Sequence, residues 1–158
     1  MTPANPIEAL AIAKAMREWL WLYPAVEIVH IVGFTILVGS VAMFDLRVLG
    51  LSKQIPVRAL ARHLLPWSVG ALLLIVPTGL LMFSAHAEDF LGNRAFQLKM
   101  ALLLAAILNA AMFHTGPYTT VKAWDTHASA PVLARISVTA SLLLWIGIIS
   151  CGRLLAYL

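Results

Sequence analysis

Glu27 and His30 are the residues of this sequence whose chemistry is least expected from their surroundings. Both lie in the apolar stretch of residues 23–33, YPAVEIVHIVG. Three positions apart on a helix, they point to nearly the same side. Ionisable groups inside a hydrophobic span are costly and by default mark a functional site that faces a partner instead of lipid. The pair therefore predicts a place where the protein binds a ligand or carries a proton.

The composition identifies the surroundings of this pair as a membrane. Of the 158 residues, 61% are hydrophobic and only 11% are charged, whereas a soluble domain has about a quarter charged residues. Four apolar runs are each close to the twenty or so residues that a helix needs to cross the hydrocarbon. The single cysteine, Cys151, excludes an internal disulfide and any metal site built from cysteines.

The apolar runs predict an all-α fold, a polytopic membrane four-helix bundle with a short N-terminal interfacial segment. The expected spans are residues 20–46, 64–84, 96–115 and 132–156, within one membrane domain of residues 1–158. The first connection carries four basic residues, which favours a cytoplasmic position for that loop; they are Arg47, Lys53, Arg58 and Arg62. Both termini would then lie on the outer side.

Position along each run converts into depth, because a helix rises about 1.5 Å per residue. His30 then lies about 6 Å to the outer side of the midplane, and Glu27 about 10 Å. Lys99 on the third span and Arg153 on the fourth lie about 12 Å out. Residues from different helices are thus expected to share one outer layer.

The other candidate ligands divide between this layer and the opposite one. Met82 and Met100 fall in the outer layer, but His114 lies about 10 Å inward of the midplane. His30 and His114 are therefore about 16 Å apart in depth, too far to clamp one metal ion between straight helices.

Each of these residues also has a purely structural interpretation. Lys99 and Arg153 can be cations at helix ends whose charged heads reach the interface. Glu27 can form an internal ion pair with Arg153 or Lys99. His30 can donate a hydrogen bond to a neighbouring carbonyl or to Asn109.

Several short patterns resemble an uncharacterised family of four-helix bacterial inner-membrane proteins. In the first half of the chain they are Pro24-Ala-Val-Glu-x-x-His30, Gly39-Ser40, Asp45-Leu-Arg47-x-Leu-Gly50, Leu65-Pro-Trp67 and Thr78-Gly79. Phe96-x-x-Lys99 and the closing Gly152-Arg153-x-x-Ala-Tyr157 extend the resemblance over nearly the whole chain. The resemblance implies a multi-pass protein of the bacterial inner membrane and no particular activity.

A more distant likeness links His30, with a glycine nine residues on, to the opening helix of CopD-type copper-resistance proteins and of HemJ-type protoporphyrinogen oxidases. In those proteins, and in small membrane cytochromes b, a four-helix bundle with intramembrane histidines handles haem, porphyrin or copper. This chain lacks the two histidine pairs at matched depths that mark a cytochrome b. The likeness therefore implies one haem with His30 on one side, and either Met82, Met100 or His114 opposite or a five-coordinate iron.

Three functions fit these observations. In the first, His30 ligates haem b, Lys99 and Arg153 pair with its propionates, and Glu27 is an electrostatic or proton-linked neighbour. The protein then serves in electron transfer or in haem and porphyrin handling, and any enzymatic activity would be that of an oxidoreductase.

The second function is a transport bundle in which Glu27 and His30 handle protons or copper, with Met82 and Met100 as soft ligands for Cu(I). The third is a cofactor-free accessory subunit in which Glu27 and Arg153 form a structural ion pair. The expected partners are the lipid bilayer and either further copies of the chain or a larger membrane complex. The modest charge of +4 is a topology signal and does not indicate nucleic acid.

Overall fold

The computed structural model describes residues 6–126, 128–155 and 157, and over these residues the chain is helical without β-strands. The helices are α1 (Ala11–Glu18), α2 (Leu22–Leu49), α3 (Val57–Ala85), α4 (Ala87–Gly92), α5 (Arg94–Thr115) and α6 (Val132–Leu154), with a 3₁₀ segment at Pro117–Ala123. Four of them, α2, α3, α5 and α6, are long and apolar enough to cross a membrane. The all-α class expected from the apolar runs is confirmed over the described residues, as is the presence of four helices with the length and apolarity that a membrane span needs.

The bounds of the helices differ from those of the apolar runs at several ends. Helix α3 begins at Val57, seven residues before the start expected at 64, and includes the charged Arg58 and Arg62. Apolarity reports only the part of a helix that meets lipid, while backbone hydrogen bonding continues through the polar turns beyond it. Residues 1–5 of the N-terminal segment, and residue 156 of the fourth expected span, lie outside the described residues.

Helix α2 is the centre of the packing. It packs against both α3 and α6, and α6 packs against α5, whereas the described parts of α2 and α3 make no close backbone approach to α5. Two glycines allow the close approaches. A Cβ at Gly33 of α2 would lie 3.0 Å from Ile75 Cγ1, and one at Gly147 of α6 would lie 3.1 Å from Leu102 Cδ1. By backbone contact the spanning helices follow the order α3, α2, α6, α5, and side chains join α5 to α2 and to α3, as in the pairs Phe44–Phe113 and Phe83–Phe96.

At one end of the spanning helices, called here the terminal end, α2 and α5 begin and α3 and α6 end. Helix α1 packs on α3 at this end, and its Ala13 and Met16 are buried. Arg17 Nη1 donates to the Ala85 carbonyl at 2.9 Å, which satisfies a backbone acceptor at the end of α3. The phenylalanines of α3, α4 and α5 stack in this region, with Phe83 and Phe96 centroids 5.7 Å apart.

At the opposite end, called the loop end, α2 ends and α3 and α6 begin around Arg47. This arginine is only 5% exposed. Its Nε donates to the Ile55 carbonyl at 2.5 Å, and its Nη2 donates to the carbonyls of Lys53, Asp125 and Thr126 at 3.1 to 3.2 Å. One side chain thus joins the end of α2 to the first and third connections.

Asp125 links the same junction to the start of α3. Its carbonyl accepts from Val57 N at 2.9 Å, and its Oδ1 accepts from Arg58 N at 2.8 Å. Two first-turn amides of α3 are therefore satisfied from another connection, in the manner of an N-cap. An apolar core surrounds the junction and consists of Val48, Val57, Phe113, Val121, Trp124, Ala134 and Val138.

Replacing Arg47 by lysine tests this junction. An ammonium cannot reproduce the planar fork of the guanidinium, so at least two backbone carbonyls lose their donor. We expect Arg47→Lys to lower the free energy of unfolding by about 3 kcal/mol, measured by denaturant titration in detergent. Arg62→Lys, at an exposed position of α3, is the control, and equal midpoints for the two variants would contradict the assignment.

Candidate functional site

His30 is half-buried on α2 and is oriented by α3. Its Nδ1 lies 2.9 Å from Thr78 Oγ1. The Thr78 hydroxyl donates to the Leu74 carbonyl at 2.6 Å and also lies 3.2 Å from the Ile75 carbonyl. The Ile75 backbone interacts with the His30 ring as well, so the neighbouring carbonyl expected as a structural partner of His30 is present. In the tautomer with the proton on Nδ1, Thr78 accepts from the imidazole and Nε2 keeps its lone pair.

Gly79 gives the imidazole its room. A Cβ at this position would lie 3.1 Å from His30 Cε1, tighter than ordinary van der Waals contact. Thr78 and Gly79 lie on the same turn of α3 and have different roles. Thr78 orients the ring, and Gly79, which has no side chain, leaves space for it. The neighbouring Thr78-Gly79 pair of the sequence pattern thus has a physical role beside His30.

Lys99 of α5 is the charged group that shares this layer. It is half-buried and interacts electrostatically with His30, although α2 and α5 make no close backbone approach. Its Nζ lies 3.9 Å from the point that a Gly152 Cβ would occupy, and it also interacts with the buried Cys151 of α6. Two contacts are thus found in this layer, His30 with Thr78 between α2 and α3 and Lys99 with Gly152 between α5 and α6, and electrostatic interaction links His30 to Lys99.

Lys99 has no acidic partner at this site. The ion pairs found over the described residues are Lys14–Glu18 and His86–Asp89, both at 3.8 Å. A cation inside a membrane span is costly unless an anion or a dipole offsets its charge. The site therefore combines a half-buried imidazole with an amino group that is within electrostatic range of it and forms neither of the two ion pairs of the described residues.

Glu27 and Arg153, expected in the same layer, are both exposed and lie outside this group. Glu27 is near enough to act electrostatically on His30 and on Tyr23. Arg153 donates from Nη2 to the Tyr157 hydroxyl at 2.6 Å and lies over the same ring at 4.9 Å from its centroid. Neither residue takes part in the two ion pairs found in the described chain, so the alternative of a Glu27–Arg153 pair has no counterpart in the structure.

The remaining candidate ligands are placed as follows. Met82 is half-buried one turn beyond Thr78 on α3, and Met100 is 40% exposed next to Lys99. His114 lies at the loop end of α5, where its Nδ1 is 2.9 Å from the Ala110 carbonyl and its ring contacts Tyr118. Fifteen residues separate it from Lys99, about 22 Å along the helix, so the structure does not bring His114 to His30.

Asp45 is a polar residue whose setting the sequence does not reveal. It is 4% exposed, its Oδ2 has no hydrogen-bond partner among the described residues, and Ser141 of α6 bonds its carboxyl group. Arg47 bonds to backbone carbonyls instead of to this acid. One turn along the same face of α6, Ser137 donates to Asn109 Oδ1 at 2.9 Å, so a second polar layer crosses α2, α5 and α6.

The roles of Thr78 and Cys151 depend on contacts between helices. The sequence shows that Thr78 follows a proline inside a span and that Cys151 lies two residues from Arg153. Depth alone places Cys151 near the outer layer, but which face of α6 looks inward is decided by packing on α2 and α5. At this level the inward face carries Cys151 and Gly152 and leaves Arg153 outside.

Replacing Thr78 by valine tests the orientation of His30. Valine keeps the shape but removes the acceptor, so Nδ1–H loses its partner and the ring is free to exchange tautomers. We expect a mixed protonation pattern of the two nitrogens, measured by nitrogen NMR of labelled histidine, and a loss of about 1–3 kcal/mol in stability.

Thr78→Ser keeps the hydroxyl and is expected to behave as the unmodified protein does. Thr35→Val is the matched control, because Thr35 is exposed on α2 and bonds only within its own helix. A nitrogen spectrum of Thr78→Val identical to that of the parent would remove Thr78 from this role.

Comparison with known proteins gives a family and no activity. No curated protein and no solved structure matches the chain. The wider likeness to CopD-type and HemJ-type proteins therefore receives no support from them. The model of a family of unknown function, DUF6644, matches residues 21–158, a range that contains all four spanning helices and every residue of the site. The chain belongs to the DUF6644 family.

Proposed function

We propose that this chain is an integral membrane protein that binds haem b between its spanning helices, and that His30 Nε2 would hold the iron. The observation that carries the proposal is the hydrogen bond from His30 Nδ1 to a Thr78 hydroxyl that is itself bonded to the Leu74 carbonyl. Histidines that ligate a metal usually donate their other N–H to a carboxylate, a backbone carbonyl or water, which fixes the tautomer and the ring plane; in this proposal the Thr78 hydroxyl takes that place.

The set of available ligands favours haem over a metal ion held by protein alone. The described residues contain no group of three or more histidine, cysteine, aspartate or glutamate side chains that can hold a metal. Sites for a bare ion such as zinc rely on three or four protein ligands. A porphyrin brings four nitrogens of its own and requires one or two axial ligands, so an isolated oriented histidine is sufficient.

Lys99 also supports the binding of haem at this site. It is a half-buried cation within a span and forms neither of the two ion pairs of the described residues. A haem propionate offers the missing negative charge, and pairing would offset the desolvation of both groups. Arg153, the other propionate partner expected from depth, is already occupied by Tyr157, so the proposal assigns this role to Lys99. Glu27 remains a peripheral electrostatic neighbour of His30.

When bound, haem supplies one-electron exchange, and its potential depends on the axial ligand and on burial. The residues of the chain bind and orient it: Thr78 directs the imidazole, Gly79 leaves it room and Lys99 neutralises a carboxylate. The surrounding span residues exclude water. We therefore propose a role in electron transfer or in haem and porphyrin handling, with one protein ligand assigned.

The proposed setting is the bacterial inner membrane, with α1 at the interface of a four-helix bundle and both termini on the outer side. The basic first connection supports this orientation. The exposed Trp19 and Trp21, between α1 and α2, support an interfacial position for the terminal end, because tryptophan is enriched there.

An absorption spectrum tests the proposal. The full chain, expressed with ample haem precursor and purified in detergent, is expected to show a Soret band that His30→Ala removes, because the ring provides the iron ligand. Lys99→Met is expected to retain the band but to lose haem faster on dilution or in competition with a soluble haem acceptor.

His114→Ala and His63→Ala are the controls, and both should retain the band. A parent protein without a Soret band would refute haem binding, and an unchanged band in His30→Ala would refute the ligand. Copper found by elemental analysis without a Soret band would favour the copper-handling alternative, and the absence of both would leave the cofactor-free accessory subunit.

A further inference from the structure

A basic cavity lies at the loop end, between the end of α2 and the segment that precedes α6. Its volume is about 170 Å³, against the roughly 10–15 Å³ that one water needs on the same measure, so it has room for a group the size of a phosphate. Its lining includes Arg47, Lys53 and Arg135 and no acidic residue. The cavity therefore combines three positive charges with space for an anion.

Arg47 gives this cavity a rigid wall. The side chain is 5% exposed, and its Nε and Nη2 are held by backbone carbonyls. Its Nη1 makes no hydrogen bond to a described residue, so donor capacity remains beyond the structural contacts. Since neither of the two ion pairs of the described chain includes Arg47, its charge stays available to an external anion.

An apolar groove continues from the cavity along α6. The groove shares Leu49 and Arg135 with the cavity and is otherwise lined mainly by side chains of α6 that include Val132, Ile136 and Leu143. These three side chains are 71%, 60% and 65% exposed, and α6 is one of the helices that can cross a membrane. A headgroup-sized basic cavity thus opens onto an apolar path that runs into the membrane.

We infer that this surface binds an anionic phospholipid, with the phosphate at Arg47, Lys53 and Arg135 and an acyl chain in the groove along α6. Basic pockets between spanning helices are a known way of recognising such headgroups. A free phosphate would use the cavity alone, whereas a lipid uses both the charge and the adjoining apolar groove. The site lies at the end of the molecule opposite to His30 and does not depend on the proposed haem site.

The test uses the full chain in nanodiscs of phosphatidylcholine, with and without a fraction of phosphatidylglycerol. A ligand that binds only the folded state raises the unfolding temperature, so the anionic lipid is expected to raise it and to remain bound in native mass spectrometry. The double variant Lys53→Gln/Arg135→Gln should weaken phosphatidylglycerol binding about thirtyfold, since each basic residue near a lipid headgroup contributes about a factor of five. Arg47 is left unchanged because it also holds the two connections.

The matched control is Arg58→Gln/Arg62→Gln, which removes the same charge from exposed positions of α3 outside the cavity. Unfolding in pure phosphatidylcholine establishes that both double variants are folded. Equal loss of lipid binding in both would show a diffuse surface effect and overturn the site.

A third variant, Ala140→Trp, fills the groove without changing the charge and is expected to weaken binding of the long-chain lipid. Unchanged binding by this variant would contradict the acyl-chain path. Equal stabilisation by inorganic phosphate in phosphatidylcholine discs would identify a free-anion site and overturn the lipid proposal.

Discussion

The constraint on which this structure depends is the absence of water around the spanning helices. Every polar group there must find its partner inside the protein or in a ligand, since an unsatisfied group costs several kcal/mol in hydrocarbon. Most polar side chains of the spans meet this requirement: Thr78 with His30 and Leu74, and Asn109 with Ser137. Among the described residues, one oxygen of Asp45 is buried without a partner, and Lys99 takes part in neither ion pair.

These two exceptions lie at different levels of the helices. Lys99 of α5 is within electrostatic range of His30 on α2, although these two helices meet through side chains such as Phe44 and Phe113 and not through a close backbone approach. Lys99 and His30 thus belong to one environment. Asp45, near the loop end of α2, marks a second polar layer whose free carboxylate oxygen the proposed haem site does not use.

The arginines at the two ends of the molecule have different kinds of partner. At the loop end, Arg47 donates hydrogen bonds to backbone carbonyls and so holds the connections together. Because these acceptors are neutral, they do not cancel the positive charge of Arg47. This leaves a basic cavity next to a lipid-facing groove. At the terminal end, Arg17 and Arg153 are occupied by a helix end and by a tyrosine, and Lys99, which forms neither of the ion pairs of the described residues, lies deeper along the spans. A structural hydrogen bond and an available charge can therefore coexist in one arginine when its acceptors are neutral.

Much of the architecture was predictable, because the apolar length that a spanning helix needs can be read from one continuous stretch of the sequence. The four spans follow from the composition of the chain, and the early start of α3 at Val57 was missed because Arg58, Arg62 and His63 interrupt the apolar pattern of its first two turns. A constant rise per residue places His30 and Lys99 in one layer of the predicted bundle, and in the structure the two residues interact electrostatically. The direction in which each side chain points around its helix axis was not predictable from the sequence. Glu27 and Arg153, which were expected in the layer of His30, lie on exposed faces.

The sequence by itself determined that this is a chain of four membrane-crossing helices and at what height each polar residue lies. Only the tertiary structure decided that Thr78 orients His30, that Cys151 and not Arg153 faces Lys99, and that Arg47 bonds to carbonyls and not to Asp45. The physical reason is that height along a helix depends on the residues of that helix alone. Rotation about its axis, and hence the partner of each side chain, depends on which helices pack together and how closely their small residues let them approach.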